Sequence, residues 1–513
     1  MSKKDAFYKH IVEGNTNKGE FITFGAAMLD GETIKDAFVN VPLKTINRHG
    51  LIAGATGTGK TKTLQVFAEH LSDKGVPVLL MDIKGDLSGL AQTGASNAFI
   101  ENRHNMIGLP FEAKGFPVEI LTLSAQGGVR LRATVSEFGP VLLSRILDLS
   151  EAQSGIVAVV FKYCDDNKLP LLDLKDFKKV LQYATQEGKE EFEANYGRIA
   201  TSSTGAILRK VVELEQQGAD LFFGEMSFDT DDLLRVDDNG KGYINIIRLT
   251  DIQDRPKLFS TFMLSLLAEI YTTFPEQGDS GRPELVIFID EAHLIFNEAS
   301  KALLNQIESI IKLIRSKGVG IYFVTQNPTD VPEAVLGQLG LKVQHALRAF
   351  TANDRKAIKL TAQNYPDSEY YDTASVLTSL GTGEALISAL NEKGIPTPLA
   401  ATMMRAPMSR MDILSDSELT DLLANSKLVK KYNEVVDRES AYEMLNSKIE
   451  KAEAVEAKEK AQKELEDLKK AQSKQRTTST TRRSTAMNPV VKVLTSATFI
   501  RSVFGILSKV MKR

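Results

Sequence analysis

Eight residues, Gly54-Ala-Thr-Gly-Thr-Gly-Lys60-Thr61, constrain this chain more than any other stretch of it. They follow an apolar run, Gly50-Leu-Ile-Ala53, and precede the helix-like spacing of Thr63, Leu64, Phe67 and Leu71. A phosphate chain needs many donors at close range. Glycines let the main chain approach it, and the first amides of a helix point at it. The pattern G-x-x-x-x-G-K-[ST] between strand and helix therefore predicts a phosphate-binding loop made by Gly54, Ala55, Thr56, Gly57, Thr58, Gly59, Lys60, Thr61 and Lys62. In it Lys60 reaches the β- and γ-phosphates of ATP, and the Thr61 hydroxyl completes the shell of Mg2+. The competing reading is a glycine-rich turn without a ligand. A second apolar run, Val76-Pro-Val-Leu-Leu-Met81, makes strand, helix and strand, the pattern of a parallel sheet.

Another buried-type run, Leu285-Val-Ile-Phe-Ile-Asp290-Glu291, ends on two carboxylates. Open parallel sheets bind ligands at that end of their strands. Asp290 is expected to hold Mg2+ through water, and Glu291 to polarise the water that attacks the terminal phosphate. Acids at a strand end also serve as plain helix caps. Gln326 ends the run 320–325, where its amide either senses the γ-phosphate or closes a turn. Asp82, in Met81-Asp-Ile-Lys-Gly-Asp86, either supports the attacking water or caps its own turn.

Along the chain the pattern divides into a small N-terminal β region (1–45), the first part of a nucleotide-binding core (46–100), a mainly helical insertion (101–238) and the second part of the core (239–405). The N-terminal region carries strand-like pieces at 20–24 and 38–41. Helical spacing recurs at 141–149, 154–167, 174–185, 205–217, 256–274 and 299–317. A helical extension, with coiled coil as one reading, covers 406–475, and 428–475 reads as one long solvated helix. Residues 476–488 form a Ser/Thr-rich linker expected to be disordered. In 489–513, Val490, Val493, Ala497, Ile500, Phe504, Leu507 and Met511 make one apolar stripe of a basic helix. That helix either lies on an anionic membrane surface or docks on another part of the assembly.

Composition excludes several classes. At 42% apolar and 25% charged residues, wholesale disorder is excluded. The single cysteine, Cys164, permits no internal disulfide, and the six histidines show no zinc-ligand spacing. The start shows no signal-peptide core and no run long enough to span a bilayer, so the expected location is cytoplasmic. Formal net charge is −3, and the eight basic, acid-free residues from Arg476 to Arg513 leave the preceding part at −11. An acidic body argues against a broad basic face for DNA but not against a basic ring or pore.

The motifs in 47–61, 82–89, 132–137, 240–245, 290–294, 314–320, 325–328, 341–351 and 380–387 together resemble the HerA–FtsK superfamily of P-loop ATPases, and most closely the bacterial HerA-like helicase C-terminal-domain family. The resemblance implies an α/β fold with a RecA-like core and a mostly parallel sheet. It implies copies assembled in a ring, commonly a hexamer, with ATP between them and DNA in the channel. It also implies an arginine finger from a neighbouring copy. Arg348 is nominated here, with Arg315 and Arg355 behind it. The function expected is Mg-dependent ATP hydrolysis driving a DNA translocase or helicase-like motor. The alternatives are an ATP-driven oligomeric switch or scaffold for a protein effector, and a membrane-associated secretion ATPase.

Overall fold

The computed structural model describes residues 2–476 apart from 253, 254, 279, 298–300, 350, 435 and 437. Its strands, in chain order, are β1 (Phe21–Leu29), β2 (Glu32–Pro42), β3 (Gly50–Ala53), β4 (Val78–Asp82), β5 (Val118–Thr122) and β6 (Val129–Arg130). There follow β7 (Ile244–Arg248), β8 (Leu285–Ile289), β9 (Val319–Thr325), β10 (Leu341–His345), β11 (Glu384–Ser388) and β12 (Ala400–Met404). Among the described residues they form one sheet in the order β2-β1-β12-β11-β10-β3-β9-β8-β4-β7-β5-β6. From β10 to β6 every neighbouring pair is parallel. From β10 back to β2 every pair is antiparallel.

Parallel strands covered on both faces read as unbroken apolar runs, and β4, β8 and β9 do so. Their side chains alternate between two cores. Leu79, Met81, Ile287 and Ile289 face a helical layer, while Val78, Leu80, Val286 and Phe288 face the helix Lys60–Asp73. That helix is seated by Phe67, whose ring lies 5.3 Å from Phe288, 4.9 Å from Tyr322 and 5.0 Å from Phe24. Burying such a side chain contributes roughly 2–3 kcal/mol, so the loop before this helix is held from below.

Because β3, β9, β8 and β4 are consecutive and parallel, their C-terminal ends share one edge. Ala53 lies opposite Thr325, Phe323 opposite Ile289, and Ile289 opposite Met81. The glycine-rich loop, Gln326, the Asp290–Glu291 pair and Asp82 are thereby brought side by side from four separate parts of the chain.

The structure departs from the expectations at the ends and in the insertion. Residues 1–45 hold a helix, Lys3–Gly14, that their strand-like reading missed; Ser2 and Asp5 cap it, and Phe7 and Ile11 are buried. The β region is a hairpin rather than two short pieces. Asp30 and Gly31, both at positive φ, make its two-residue turn, and β1 joins the main sheet through β12. Within 101–238, β5 and β6 belong to the core sheet, so the helical layer is narrower, from Val135–Ile146 to Thr201–Gln216. The expected single helix over 428–475 is broken: Lys427–Tyr432 ends, and Ala441–Arg476 begins afresh. Leu428, Tyr432, Ala441 and Leu445 are buried against the helical layer, which sets the break. Residues 451–470 are exposed throughout. The linker at 477–488 and the basic helix at 489–513 lie outside the described residues.

Candidate nucleotide site

The glycine-rich loop leaves β3 tied by hydrogen bonds to the chain at the ends of both neighbouring strands. Gly54 N–H donates to Thr325 O at 3.3 Å and Ala55 N–H to Ala346 O at 2.9 Å. A side chain at Gly54 would collide with His345, whose Cβ lies 2.5 Å from the point a Cβ would take. Gly59 adopts φ +115° immediately before the helix, a conformation that favours glycine. The first amides of a helix have no acceptor within it, so Lys60, Thr61 and Lys62 present N–H groups where an anion is stabilised.

His345 supports this loop from beneath. Its Nδ1 bonds Glu384 O at 2.8 Å and its Nε2 lies 2.9 Å from Thr63 Oγ1. Burial pushes the imidazole down to about 4, so the ring is neutral, with Nδ1–H donating and Nε2 accepting the hydroxyl.

Lys60 is buried, and its Nζ donates to Gly54 O at 2.7 Å and Ala55 O at 3.2 Å. Burial lowers its pKa, and Lys84 lowers it further, against Glu291 and Asp290. Its charge is therefore felt by both acids. Lys62 behaves differently. Its Nζ donates to Met411 O at 2.7 Å and Gln65 Oε1 at 3.2 Å, so only its main chain faces the loop's ligand position.

At the tip of β8, Asp290 and Glu291 are 5% and 6% exposed. Glu291 sits at φ +47°, strained for a residue with a side chain, and Ala292 N–H, bonded to Val324 O at 3.0 Å, locks the turn. Lys84 Nζ reaches Glu291 Oε1 at 2.5 Å, and His293 Nδ1 lies 3.3 Å from Oε2. Burial raises the Asp290 carboxyl to about 7; Lys84 opposes this and Glu291 adds to it. Asp82 resolves toward the turn-capping reading: Oδ1 accepts from Gly85 N at 2.7 Å and Oδ2 from Leu87 N at 3.1 Å. The capped turn is the one that carries Lys84.

The acids suit a metal brought in with phosphate. Among the described residues no group of three or more His, Cys, Asp and Glu is placed to hold an ion. Mg2+ is commonly held by one or two carboxylates together with water and substrate phosphates. Asp290, whose burial disfavours its charge until a cation is near, and the Thr61 hydroxyl at the helix start are donors of that kind.

The Asp290 shift carries a stability consequence. The folded carboxyl titrates above the ordinary 3.8, so between those values the folded chain keeps a proton that the unfolded chain has lost. Stability falls as pH rises through that window. Asp290→Asn is expected to raise the Tm of the nucleotide-free chain by roughly a few degrees at pH 8, and by less than half as much at pH 5. Thermal melts giving a pH-independent change, or a loss at pH 8, contradict this.

Gln326 directly follows β9 and is exposed at the shared edge. Arg348 lies past the end of β10, exposed, with Nη1 donating to Thr378 O at 3.3 Å. It therefore sits on the same edge as its own loop. At the opposite edge, Arg48, Lys312, Arg315 and Lys342 line a cavity of ≈ 500 Å3 that has no Asp or Glu in its lining. Arg48 precedes β3 and Arg315 precedes β9; no motif or local spacing in the sequence marks Arg48. A larger cavity, ≈ 880 Å3, lies between Leu174–Tyr183 and the start of the last helix and touches none of these residues.

The model of the helicase HerA-like C-terminal family matches residues 28–513. The chain belongs to that family. Among curated relatives, the DNA double-strand break repair helicase HerA of Sulfolobus acidocaldarius is 22% identical over 382 residues, covering 73% of this chain and 68% of its own length. The DNA import protein CedB of the same organism is 26% identical, covering 74% of this chain and 56% of its own length. HerA of Sulfurisphaera tokodaii is 25% identical, with 69% and 64% covered. The matches thus span only 56–68% of these relatives. Among solved structures, the bacterial conjugative coupling protein TrwB aligns at a TM-score of 0.49 and 13% identity, over 79% of this chain and 93% of that one. VirB4 of Thermoanaerobacter pseudethanolicus aligns at 0.48 and 16% identity, over 76% and 98%. The family is one of HerA-like ATPases, and among the described residues of this chain no helix is long and apolar enough to cross a membrane.

Proposed function

We propose that this chain hydrolyses ATP with Mg2+ and works as a ring of copies on DNA. The observation that carries the reading is that Lys60, Asp290 and Glu291 meet at one strand edge, within electrostatic reach of one another. ATP binds with its phosphates along the amides of Thr56 to Thr61, where Lys60 exchanges its carbonyl acceptors for β- and γ-phosphate oxygens. Thr61 and Asp290 would hold Mg2+, which when bound would supply positive charge to offset the phosphate oxygens. Glu291 orients a water and takes its proton as the water oxygen bonds the γ-phosphorus. The bond to the β–γ bridging oxygen breaks, releasing ADP and inorganic phosphate. Gln326, which follows β9 between the strands that carry the loop and the acids, would sense the γ-phosphate in this reading.

A ring joins two different faces of the same chain, so a trans-acting arginine comes from a face other than the one bearing the loop. Arg348 does not meet that condition. Arg315, which precedes β9 at the opposite strand edge beside Arg48, does, and we assign the finger to it in preference to Arg348.

Support for DNA as the track comes from the HerA and CedB relatives, named for DNA repair and DNA import. The acidic body favours the second reading, an oligomeric switch for a protein effector. One assay separates them: phosphate release with and without duplex DNA at low and moderate salt, using wild type and mixtures with Arg315→Ala. The motor reading expects stimulation by DNA that weakens with salt, and loss of activity in mixtures beyond simple dilution. Assembly with ATP but no stimulation at any salt favours the switch; loss in proportion to dilution removes Arg315 from the trans role.

A further inference from the structure

We propose that Lys84 couples recognition of the terminal phosphate to release of Glu291, leaving the carboxylate for the phosphate when a triphosphate binds. This rests on the ATPase reading above and makes Lys84 a positioning residue for the attacking water.

The structure holds Glu291 away from its chemistry. A carboxylate that must take a proton from water is a poorer base with an ammonium on it, and Lys84 Nζ stands 2.5 Å from Oε1. The placement is built into the backbone. Asp82 accepts N–H groups from Gly85 and Leu87, and Gly85 turns at φ +79°, which delivers Lys84, inside that turn, to the tip of β8. Lys84 comes from the turn after β4, the strand beside β8, so the pair bridges two neighbouring strand ends.

The far end of Lys84 is free to change partner. Its side chain is 42% exposed, whereas that of Glu291 is 8% exposed, so the ammonium moves more cheaply than the carboxylate. Lys60 is likewise on substitute acceptors, the carbonyls of Gly54 and Ala55. Two ammonium groups thus wait around one place, each repelling the other, an arrangement that a polyanion relieves. Only a triphosphate carries the terminal group within reach of the acids, so ADP leaves Lys84 on Glu291. His293, 3.3 Å from Oε2, keeps the freed carboxylate from swinging out.

The test uses the full chain with Lys84→Met, which keeps length and removes charge, and Lys84→Arg. Each is made in wild type and in Glu291→Gln. Mg-ATP and Mg-ADP affinities are measured with a fluorescent-nucleotide competition, together with kcat and KM, and melts confirm folding. Lys84→Met is expected to weaken ATP about 10- to 100-fold in wild type, the scale of one charged hydrogen bond, and by a larger factor in Glu291→Gln, where Lys84 has no carboxylate to leave, with ADP changed less than about 2-fold in both. Lys84→Arg is expected to restore part of the preference. Three results overturn the inference while leaving the ATPase reading standing: equal loss for ATP and ADP, an ATP effect no larger in Glu291→Gln than in wild type, or no effect at all. Wild type that binds neither nucleotide overturns both.

Discussion

Glu291→Gln binds Mg-ATP at least as tightly as wild type, since Lys84 has no carboxylate to leave, and releases phosphate about 100- to 10,000-fold more slowly, the span that general-base contributions cover. Gln keeps the shape and still points at a water, but it cannot take the proton. The change also removes the negative charge that Lys84 and His293 contact, so no buried charge is left without a partner on the acid side. Slow turnover therefore reports lost chemistry rather than a collapsed site. The measurement is single-turnover phosphate release beside equilibrium binding. Wild-type turnover in the variant removes Glu291 from the reaction.

Lys60→Ala is expected to weaken ATP binding by about 100-fold or more and to abolish measurable turnover. Lys60 supplies charged donors to two phosphates, and each charged hydrogen bond contributes roughly 1.5–3 kcal/mol. The fold is expected to survive. Ala suits a helix start, and the change removes a charge whose burial is unfavourable, as its lowered pKa indicates. The carbonyls of Gly54 and Ala55 lose one acceptor role each, a cost small beside the seating of the helix by Phe67. Titration calorimetry with a melt of the same sample separates lost affinity from lost structure.

The parts of the site legible in the residues were those where one short segment carries a whole task. The loop 54–61 and the tip of β8 need fixed residue types at fixed spacing, and flanking apolar runs supply their context. Lys84 was not legible, because its role depends on β4 and β8 being neighbours, which strand order decides and spacing does not. His345 escaped for the same reason: it closes β10 yet supports the loop after β3. Arg48 and Arg315 become a pair only when β3 and β9 lie side by side with their starts together.

Fold class was readable from the alternation of buried strands and helical spacing, and the errors lay where tertiary contact overrides local pattern. Lys3–Gly14 has only two buried apolar residues, Phe7 and Ile11, too few to show a period, and Phe7 is held by Tyr370 and Tyr371 from late in the chain. The Asp30-Gly31 turn was a local signal that pointed to one long hairpin. In the C-terminal part, Lys- and Glu-rich composition pointed to one helix, while burial of Tyr432 and Ala441 against distant helices broke it in two.

The most direct measurement of the central claim is an experimental structure of the Glu291→Gln chain with Mg-ATP. The account predicts a triphosphate lying along the amides of residues 56–61, Lys60 moved from the carbonyls of Gly54 and Ala55 onto phosphate oxygens, and metal between Thr61 and Asp290. A nucleotide bound elsewhere, or none at millimolar ATP with Lys60 still on its own carbonyls, contradicts it.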